Sequence, residues 1–280
     1  MLEKQEKETA FQKLSKLIGM ECFKREIQLL EYSGVESINN LHYIITGNPG
    51  TGKTTIARLL GEILHELGYL RSGHIVMVTR SDLVGAFVGE ATIKTKGKIG
   101  EATGGVLFID EANTLFQSGE DHFGHEAMVT LVKEAWGDGD RKKQFVMILS
   151  CYPEQIDAFL QLTPGLKQKL RIIHLNDYST EEMVKILQNF AGDFILEPEY
   201  IQKTKQIFDF WTANKDRNFG NAGDVRKYFS ECNDTLYKRL FKEYEVSSDI
   251  PEEVKKTLTG QDIPSKYLLV VGGLASECNE

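Results

Sequence analysis

Short apolar runs alternate along the first two thirds of the chain with segments whose apolar residues recur every three or four positions. The apolar runs cover residues 41–46, 74–79, 105–110, 145–150 and 171–175. Runs of this length between helical segments are typical of strands buried on both faces of a parallel sheet. The periodic segments predict helices over 2–33, with a second helix from about Glu21, and over 54–67, 92–102 and 124–136. The alternation predicts a doubly wound α/β domain.

The strand pattern stops after Asp177, and residues 180–245 show only helical periodicity. We therefore expect an α/β domain over residues 1–176, a small all-helical domain over 177–246 and a C-terminal tail over 247–280. The tail contains an apolar stretch, residues 267–275. We expect this stretch to pack either on the body of the protein or on a neighbouring subunit.

Composition restricts the class of protein. The chain has 280 residues and a net charge of −8, which argues against a nucleic-acid surface because phosphate backbones require a basic face. Its four cysteines form no C-x-x-C pair, a distribution that suits a reducing compartment. The N-terminal residues lack the apolar core of a signal peptide, and no apolar run approaches the ~20 residues that span a bilayer. We expect a soluble cytoplasmic protein without a membrane span.

Residues 47–54, G-N-P-G-T-G-K-T, match the phosphate-binding pattern G-x-x-x-x-G-K-[ST]. The motif lies between a predicted strand and a predicted helix, so backbone N–H groups and the helix N-terminus can face phosphate oxygens. Lys53 is expected to contact the β- and γ-phosphates, and the Thr54 hydroxyl to bind Mg²⁺. The predicted cofactor-binding residues of this segment are Asn48, Pro49, Gly50, Thr51, Gly52, Lys53, Thr54 and Thr55.

A second acidic motif, V-L-F-I-D-E over residues 106–111, ends the third predicted strand. Asp110 is expected to hold Mg²⁺, and Glu111 to polarise an attacking water. A carboxylate directed at water indicates hydrolysis rather than transfer to an acceptor, so a small-molecule kinase is only a remote alternative. A guanine-nucleotide switch is also disfavoured, because in the nearest match to N-K-x-D, residues 214–216, the Asp comes one place early.

The segment S-D-L-V-G-A-F-V-G-E, residues 81–90, follows the second predicted strand. It places Phe87, Val88 and Gly89 on a loop that Gly85 makes flexible. By itself this pattern indicates a turn with one core Phe. In a phosphate-binding α/β domain it has a second interpretation, an exposed ring on a mobile loop.

Together these segments resemble the AAA+ ATPases of the stage V sporulation protein K group, which includes red-type Rubisco activase and ATPases of type VII secretion. The similarity runs from about Leu17 to about Arg226 and includes G-G-V-L-F-I-D-E-A and F-G-H-E-A. It implies an AAA+ domain followed by a helical lid, and a hexameric ring that hydrolyses ATP with Mg²⁺ between subunits. It also implies a protein substrate gripped by a pore loop, here Phe87 and Val88, with Phe87 where the family usually has Tyr.

The sequence departs from this family at its cationic positions. The arginine finger, donated to the neighbouring subunit, falls in T-P-G-L-K-Q-K-L, residues 163–170, where Lys167 and Lys169 replace arginines. Arg171 follows closely and is a second candidate, since lysine lacks the planar fork of arginine. In the lid, Gly223 occupies the usual sensor arginine position, and Arg226 lies one helical turn further on.

A polar sensor residue is expected at the end of the fourth strand, where Ser150 and Tyr152 both have side chains that could fill this role.

Two functional hypotheses follow. The first is an ATP-hydrolysing ring protein that remodels a protein partner. The second is a weakly hydrolysing, ATP-binding regulatory subunit of a hetero-oligomeric complex, which the missing arginines motivate.

Overall fold

The computed structural model describes residues 8–34, 37–87, 89–116, 121–137, 144–162, 165–216, 219–244 and 250–270. Contacts divide the chain into two compact units. The first unit contains residues 1–47 and 52–176, and the second contains residues 48–51 and 177–280.

A five-stranded parallel sheet forms the centre of the first unit. Its strands are β1 (Tyr43–Gly47), β2 (Ile75–Val78), β3 (Val106–Ile109), β4 (Val146–Cys151) and β5 (Arg171–Leu175). Their order across the sheet is β2-β3-β4-β1-β5. Every residue of β1, β3 and β4 is buried, which explains their nearly continuous apolar sequences. Because all neighbours are parallel, the carboxyl ends of the strands meet at one edge.

Helices cover both faces of this sheet. They are α1 (Ala10–Lys16), α2 (Glu21–Ser33), α3 (Lys53–Glu66), α4 (Arg80–Leu83), α5 (Glu90–Ala102), α6 (His122–Trp136) and α7 (Ile156–Leu162). Alternate strand residues enter two separate cores: Leu107 and Ile109 pack with the α5 and α6 side chains, whereas Val106 and Phe108 pack with those of α1 to α3. The unit is therefore a three-layer α/β structure, as the alternation of apolar runs and periodic segments predicts.

Several helix starts differ from the predicted ones. Helix α5 begins at Glu90 rather than at 92, and α6 at His122 rather than at 124. The reason is local capping, which periodicity does not show. Gly89 adopts a left-handed φ of 83° before α5, and the Asp121 side chain accepts the Gly124 N–H before α6.

The two helices predicted over 2–33 are both present, as α1 and α2, while residues 2–7 lie outside the described residues. Helices α1 and α2 are separated by Gly19 and Met20, whose φ values of 64° and 60° interrupt helical geometry. The predicted start of the second helix at Glu21 agrees with the structure.

The second unit is built mainly from α8 (Thr180–Ala191), α9 (Pro198–Ala213), α10 (Ala222–Glu243), α11 (Glu252–Lys255) and α12 (Ser265–Val270). It also contains two short parallel strands, β6 (Ile195–Leu196) and β7 (Thr257–Leu258), which the prediction of helices alone did not include. Two residues per strand are too few to show a period, and the strands are far apart in the sequence.

The apolar tail stretch begins inside this second unit. Helix α12 carries Tyr267, whose ring lies 5.8 Å from that of Trp211 and 5.0 Å from that of Tyr228. The described part of the tail thus packs on its own chain, while residues 271–275 lie outside the described residues. Among the described helices, none combines the length and apolarity needed to cross a membrane.

The buried His42 at the start of β1 generates a pH prediction. Its Nδ1 accepts the Met147 N–H at 3.0 Å, its Nε2 lies 3.2 Å from the Ala135 carbonyl oxygen, and burial lowers its pKa from 6.5 to about 4. Between these values the unfolded chain binds a proton that the folded chain does not. We expect the free energy of unfolding to fall by up to roughly 3 kcal/mol as the pH falls through this window.

Denaturant unfolding of wild type and His42→Gln between pH 7 and pH 4 tests this expectation. The glutamine does not titrate, so the variant should lack this part of the pH dependence whatever its absolute stability. Equal slopes in the two proteins would contradict the assignment.

Candidate active site

The two acidic residues at the end of β3 are fixed by a serine on the neighbouring strand. Ser150 of β4 is fully buried and donates a 2.6 Å hydrogen bond to Asp110 Oδ1. The Glu111 N–H donates to Ser150 Oγ at 2.8 Å and to Asp110 Oδ1 at 3.1 Å. These bonds support a left-handed backbone at Glu111, with φ of 49°, a conformation that costs about 1 kcal/mol or more outside glycine.

The Glu111 carboxylate is held by Tyr152, just beyond β4. The Tyr152 hydroxyl donates to Glu111 Oε1 at 2.8 Å. This hydrogen bond, followed by burial, raises the pKa of Tyr152 to about 12, so the phenol keeps its proton near neutral pH. The two sensor candidates therefore have different partners: Ser150 positions the backbone and Asp110, while Tyr152 contacts the carboxylate of Glu111.

Lys53 begins α3 and lies close to the same carboxylates. Its Nζ donates to the Gly47 carbonyl oxygen at 2.7 Å and lies 5.1 Å from the centre of the Tyr152 ring. Burial lowers the pKa of Lys53, although the charges of Asp110 and Glu111 act to raise it. The carboxyl edge of the sheet thus brings together one ammonium and two carboxylates, as the sequence predicts.

The start of α3 is suited to bind phosphate. Gly52 precedes the helix with a left-handed φ of 96°, and the exposed N–H groups of the first turn carry the positive end of the helix dipole. Thr54 lies half-buried in this turn, and Thr55 is exposed. Together with Lys53, this geometry fits a phosphate chain.

Residues 48–51 of the phosphate-binding motif make their contacts within the second unit. Asp177 Oδ1 accepts hydrogen bonds from Asn48 Nδ2 at 2.8 Å and from Asn221 Nδ2 at 2.9 Å. Burial acts to raise the pKa of Asp177, but hydrogen bonds from Lys215, Asn221 and Asn48 outweigh it and lower the pKa.

The backbone conformation of Gly50 makes this close packing possible. Gly50 has a φ of 71°, and a Cβ there would lie 1.9 Å from the Gly220 carbonyl oxygen, so no other residue fits without movement. The Asn221 side chain also donates to the Pro49 carbonyl oxygen at 3.1 Å, and Thr51 is buried. Sequence reasoning placed a domain boundary near Asp177 but missed the hydrogen bonds that Asp177 and Asn221 make, because contacts between residues distant in the sequence leave no periodic or spacing signal.

A polar cavity of about 640 Å³ adjoins Glu111. Its lining residues are Thr79, Arg80, Ser81, Val84, Asp110, Glu111 and Thr114. Arg80, which sequence reasoning also missed, pairs with Asp121 at 2.6 Å and donates to the Leu115 carbonyl oxygen at 2.8 Å. The ion pair connects α4 to the start of α6, and the hydrogen bonds of Arg80 to the Thr114 and Leu115 carbonyl oxygens hold residues 114 and 115.

The candidate finger residues lie around the start of β5, at the opposite edge of the sheet from the phosphate-binding motif. Arg171 pairs in register with Tyr43, at the beginning of β1. Its guanidinium makes an ion pair with Glu26 at 2.5 Å and donates to the Asn40 carbonyl oxygen. Lys169 is exposed, with its ammonium 5.4 Å from the centre of the Trp136 ring. The Lys169 ammonium therefore makes weaker contacts within its own unit than the Arg171 guanidinium does.

Arg226 lies near the start of α10, and its guanidinium stacks over the Phe190 ring at 4.7 Å. Gly223 is exposed in the first turn of the same helix. The predicted contact of Arg226 with nucleotide stays a prediction.

Phe87 is 77% exposed, so it is no core residue, and the interpretation of its loop as a turn with one core Phe is wrong. Val88, the other predicted substrate-contacting residue, lies outside the described residues.

Comparison with known proteins identifies the family. Residues 43–170 match the model of the ATPase family associated with various cellular activities (AAA), and residues 179–270 match an AAA lid domain. The chain is 35% identical to CbbX of Cereibacter sphaeroides over 241 residues, 85% of this chain and 75% of that protein. The chain belongs to the AAA family of ATPases.

Other relatives place this AAA ATPase more narrowly. Stage V sporulation protein K of Bacillus subtilis (strain 168) is 39% identical over 192 residues, which span 64% of this chain and 59% of that protein. The chloroplastic ribulose bisphosphate carboxylase/oxygenase activase of Cyanidioschyzon merolae is 34% identical, with 80% of each chain covered. The predicted resemblance to the stage V sporulation protein K and CbbX group is confirmed.

The fold of this AAA ATPase also agrees with a solved structure. The FIGL-1 AAA domain in complex with ADP is similar with a TM-score of 0.56 at 16% identity, covering 93% of this chain and 80% of that one. The predicted α/β nucleotide-binding domain followed by a lid domain is confirmed.

The hydrogen bonds of Ser150 and Tyr152 predict different effects on stability. Ser150→Ala removes a buried acceptor and donor and leaves the Glu111 N–H and Asp110 with one partner fewer. We expect it to lower the free energy of unfolding by about 1–3 kcal/mol. Tyr152→Phe keeps the ring and removes only a partly exposed hydroxyl, so its effect should stay below about 1 kcal/mol.

Denaturant unfolding of the three proteins in the same buffer provides the measurement. A larger loss for Tyr152→Phe than for Ser150→Ala would contradict the division of roles between the two side chains.

Proposed function

We propose that this AAA ATPase hydrolyses ATP in a ring, between neighbouring subunits, and uses the energy to remodel a protein partner. The observation that carries the proposal is the exposed ring of Phe87. It lies on the loop that follows α4, a helix that lines the cavity beside Glu111. An exposed aromatic side chain offers a large apolar contact at small entropic cost. Four cysteines without a C-x-x-C pair agree with action in the cytoplasm.

Nucleotide binding is assigned to the phosphate-binding motif. The backbone N–H of Gly52 and those of the first turn of α3 bind the phosphates, and Lys53 contacts the terminal ones. Thr54 and Asp110 would hold Mg²⁺, which when bound neutralises the charge that develops on the phosphates. The ammonium of Lys53 and the carboxylates of Asp110 and Glu111 lie close together at the carboxyl edge of the sheet, and this arrangement supports the assignment.

Glu111 is the general base in this proposal. Its carboxylate polarises the attacking water, and the Tyr152 hydroxyl keeps it in place through the bond to Oε1. Ser150 acts indirectly, since it holds the Asp110 carboxylate and the Glu111 backbone. Tyr152 therefore takes the part of the sensor that responds to the γ-phosphate, through its contacts with Glu111 and Lys53.

Subunit contacts supply the remaining cation. We propose Lys169, with Lys167 as its neighbour, as the residue that approaches the γ-phosphate of the adjacent subunit. Arg171 is less suited, because its release would leave the carboxylate of Glu26 without its ion-pair partner. Hinge motion near Asp177, where Asn48 and Asn221 converge, would couple the state of the phosphate loop to the lid and from there to the partner.

A second candidate function is a weakly hydrolysing regulatory subunit in a hetero-oligomeric ring. The ion pair of Arg171 with Glu26 favours it, because that pair leaves the finger role to lysine. Lysine provides a point charge without a bidentate fork, which predicts slower turnover than an arginine finger supports.

Substitution of the general base tests hydrolysis directly. Glu111→Gln should keep ATP binding and reduce turnover by about 10²-fold or more, because the amide cannot accept the proton of the attacking water. Glu154→Gln, the same change at an exposed carboxylate nearby, serves as the matched control. Unchanged phosphate release by Glu111→Gln would refute the assigned role.

The ring and its finger are tested by turnover as a function of protein concentration. Turnover per subunit should rise with concentration, and Lys169→Ala should lower its plateau by about tenfold or more without weakening ATP binding. Arg171→Ala should instead reduce stability, measured by thermal unfolding, because it leaves Glu26 unpaired. Tight ATP binding with negligible turnover at every concentration would favour the regulatory subunit.

A further inference from the structure

Hydrogen bonds hold the Glu111 backbone on both sides of its left-handed conformation. On the amino side, the Glu111 N–H donates to Ser150 Oγ. On the carboxyl side, the Glu111 carbonyl oxygen accepts the Thr114 N–H at 2.8 Å and the Thr114 hydroxyl at 2.7 Å. A backbone conformation of this kind persists only where the surrounding structure over-determines it. Thr114 therefore supports the geometry of Glu111 on the side that Ser150 does not reach.

Arg80 holds the short 3₁₀ helix, Ala112–Leu115, that contains Thr114. Its Nη1 donates to the Thr114 carbonyl oxygen at 3.0 Å and to the Leu115 carbonyl oxygen at 2.8 Å. The last carbonyl oxygens of a helix have no partner within it, so a side chain from outside must supply the donors. The planar guanidinium has enough N–H groups to serve two neighbouring carbonyl oxygens and a carboxylate together.

Asp121 and Gly124 fix the orientation of the Arg80 guanidinium. Asp121 Oδ2 lies 2.6 Å from Arg80 Nη1, Oδ1 lies 3.1 Å from Nη2, and the Asp121 side chain is only 8% exposed. A Cβ on Gly124 would lie 1.6 Å from the Leu115 carbonyl oxygen and 2.9 Å from Arg80 Nη1. The glycine of the F-G-H-E-A stretch, residues 123–127, thus lets the start of α6 approach this contact closely.

The two supports of Glu111 come from opposite sides of β3. Ser150 belongs to β4, whereas Arg80 begins α4 just after β2, and β3 lies between these strands in the sheet. The Asp110 N–H donates to the Val78 carbonyl oxygen at 2.9 Å, so the ends of β2 and β3 are also joined. The backbone that follows β3 is therefore held from both neighbouring strands.

We propose that Arg80 and Thr114 are positioning residues for the general base Glu111. Arg80 holds the Thr114 carbonyl oxygen, and Thr114 holds the Glu111 carbonyl oxygen, so the carboxylate extends from a fixed backbone towards the attacking water. A misplacement of about 1 Å can cost on the order of 10²-fold in rate. The inference rests on the proposed function, because it takes Glu111 as the residue that polarises water.

ATP turnover and ATP binding of Thr114 variants test the second step. Thr114→Val removes the hydroxyl and keeps the side-chain shape, so kcat should fall about fivefold, while the Kd of a slowly hydrolysed ATP analogue with Mg²⁺ should change less than about twofold. Thr114→Ser keeps the hydroxyl and should retain most of the turnover. The matched control is Thr103→Val, which removes a similar bond to the Ile99 carbonyl oxygen and should leave kcat unchanged.

Arg80→Lys tests the first step. The ammonium can keep the ion pair with Asp121 but lacks the planar fork that reaches both carbonyl oxygens, so kcat should fall about tenfold with ATP binding unchanged. In a Glu111→Gln background, neither Arg80→Lys nor Thr114→Val should lower the residual turnover further, because both act through the Glu111 carboxylate. Thermal unfolding of each variant provides the amount of folded protein.

The outcomes separate this inference from the proposed function. Equal losses of turnover with and without the Glu111 carboxylate would indicate a general structural effect and overturn the inference. Weaker ATP binding by Arg80→Lys would indicate a direct phosphate contact and overturn it as well. Full turnover in both variants, with turnover lost in Glu111→Gln, would overturn the inference and leave the hydrolytic function intact. Full turnover in Glu111→Gln, or none in wild type, would refute the general base and with it this inference.

Discussion

The hydrogen bonds that join Ser150 to Asp110 and to the Glu111 N–H are the constraint on which the site depends. They require β3 and β4 to be adjacent and in register, and the parallel sheet provides both. They also support a left-handed backbone at Glu111, which would otherwise be unfavourable. The position of the proposed general base is therefore a property of the sheet, because two neighbouring strands must pair correctly before the carboxylate is placed.

Carboxylates that accept hydrogen bonds from the chain organise the loops around the sheet edge. Asp82 accepts the Thr79 N–H before α4, Glu90 braces the Phe87 turn, and Asp121 pairs with Arg80 before α6. In the second unit, Asp177 gathers Asn48 and Asn221. Charge-assisted bonds of this kind specify loop geometry where apolar packing is sparse. Part of the acidic excess of the chain thus serves the structure rather than a ligand.

The cationic side chains near the start of β5 differ in how firmly their own unit holds them. Arg171 is oriented by Glu26, at the start of a strand far from the phosphate-binding edge. Lys169 lies over an aromatic ring and is exposed. An ammonium that is held only by a cation–π contact, worth about 0.5–1 kcal/mol at exposed sites, can be redirected at small cost. For the finger role that we propose for Lys169, lysine supplies a point charge without the planar fork of arginine.

The sequence by itself determined the layered α/β fold, the helical second unit, the phosphate-binding motif and the two acidic residues after β3. These features depend on local patterns, namely apolar runs, helical periodicity and residue spacing, which require no knowledge of contacts. Only the tertiary structure showed that Ser150 and Tyr152 have different hydrogen-bond partners, that Phe87 is exposed and that Arg171 pairs with Glu26. It also showed the hydrogen bonds that Asp177 makes with Asn48 and Asn221. These outcomes depend on which side chains meet across strands and loops distant in sequence, and periodicity carries no information about such pairs. The two-residue strands β6 and β7 were missed for the same reason, since each is defined only by its partner.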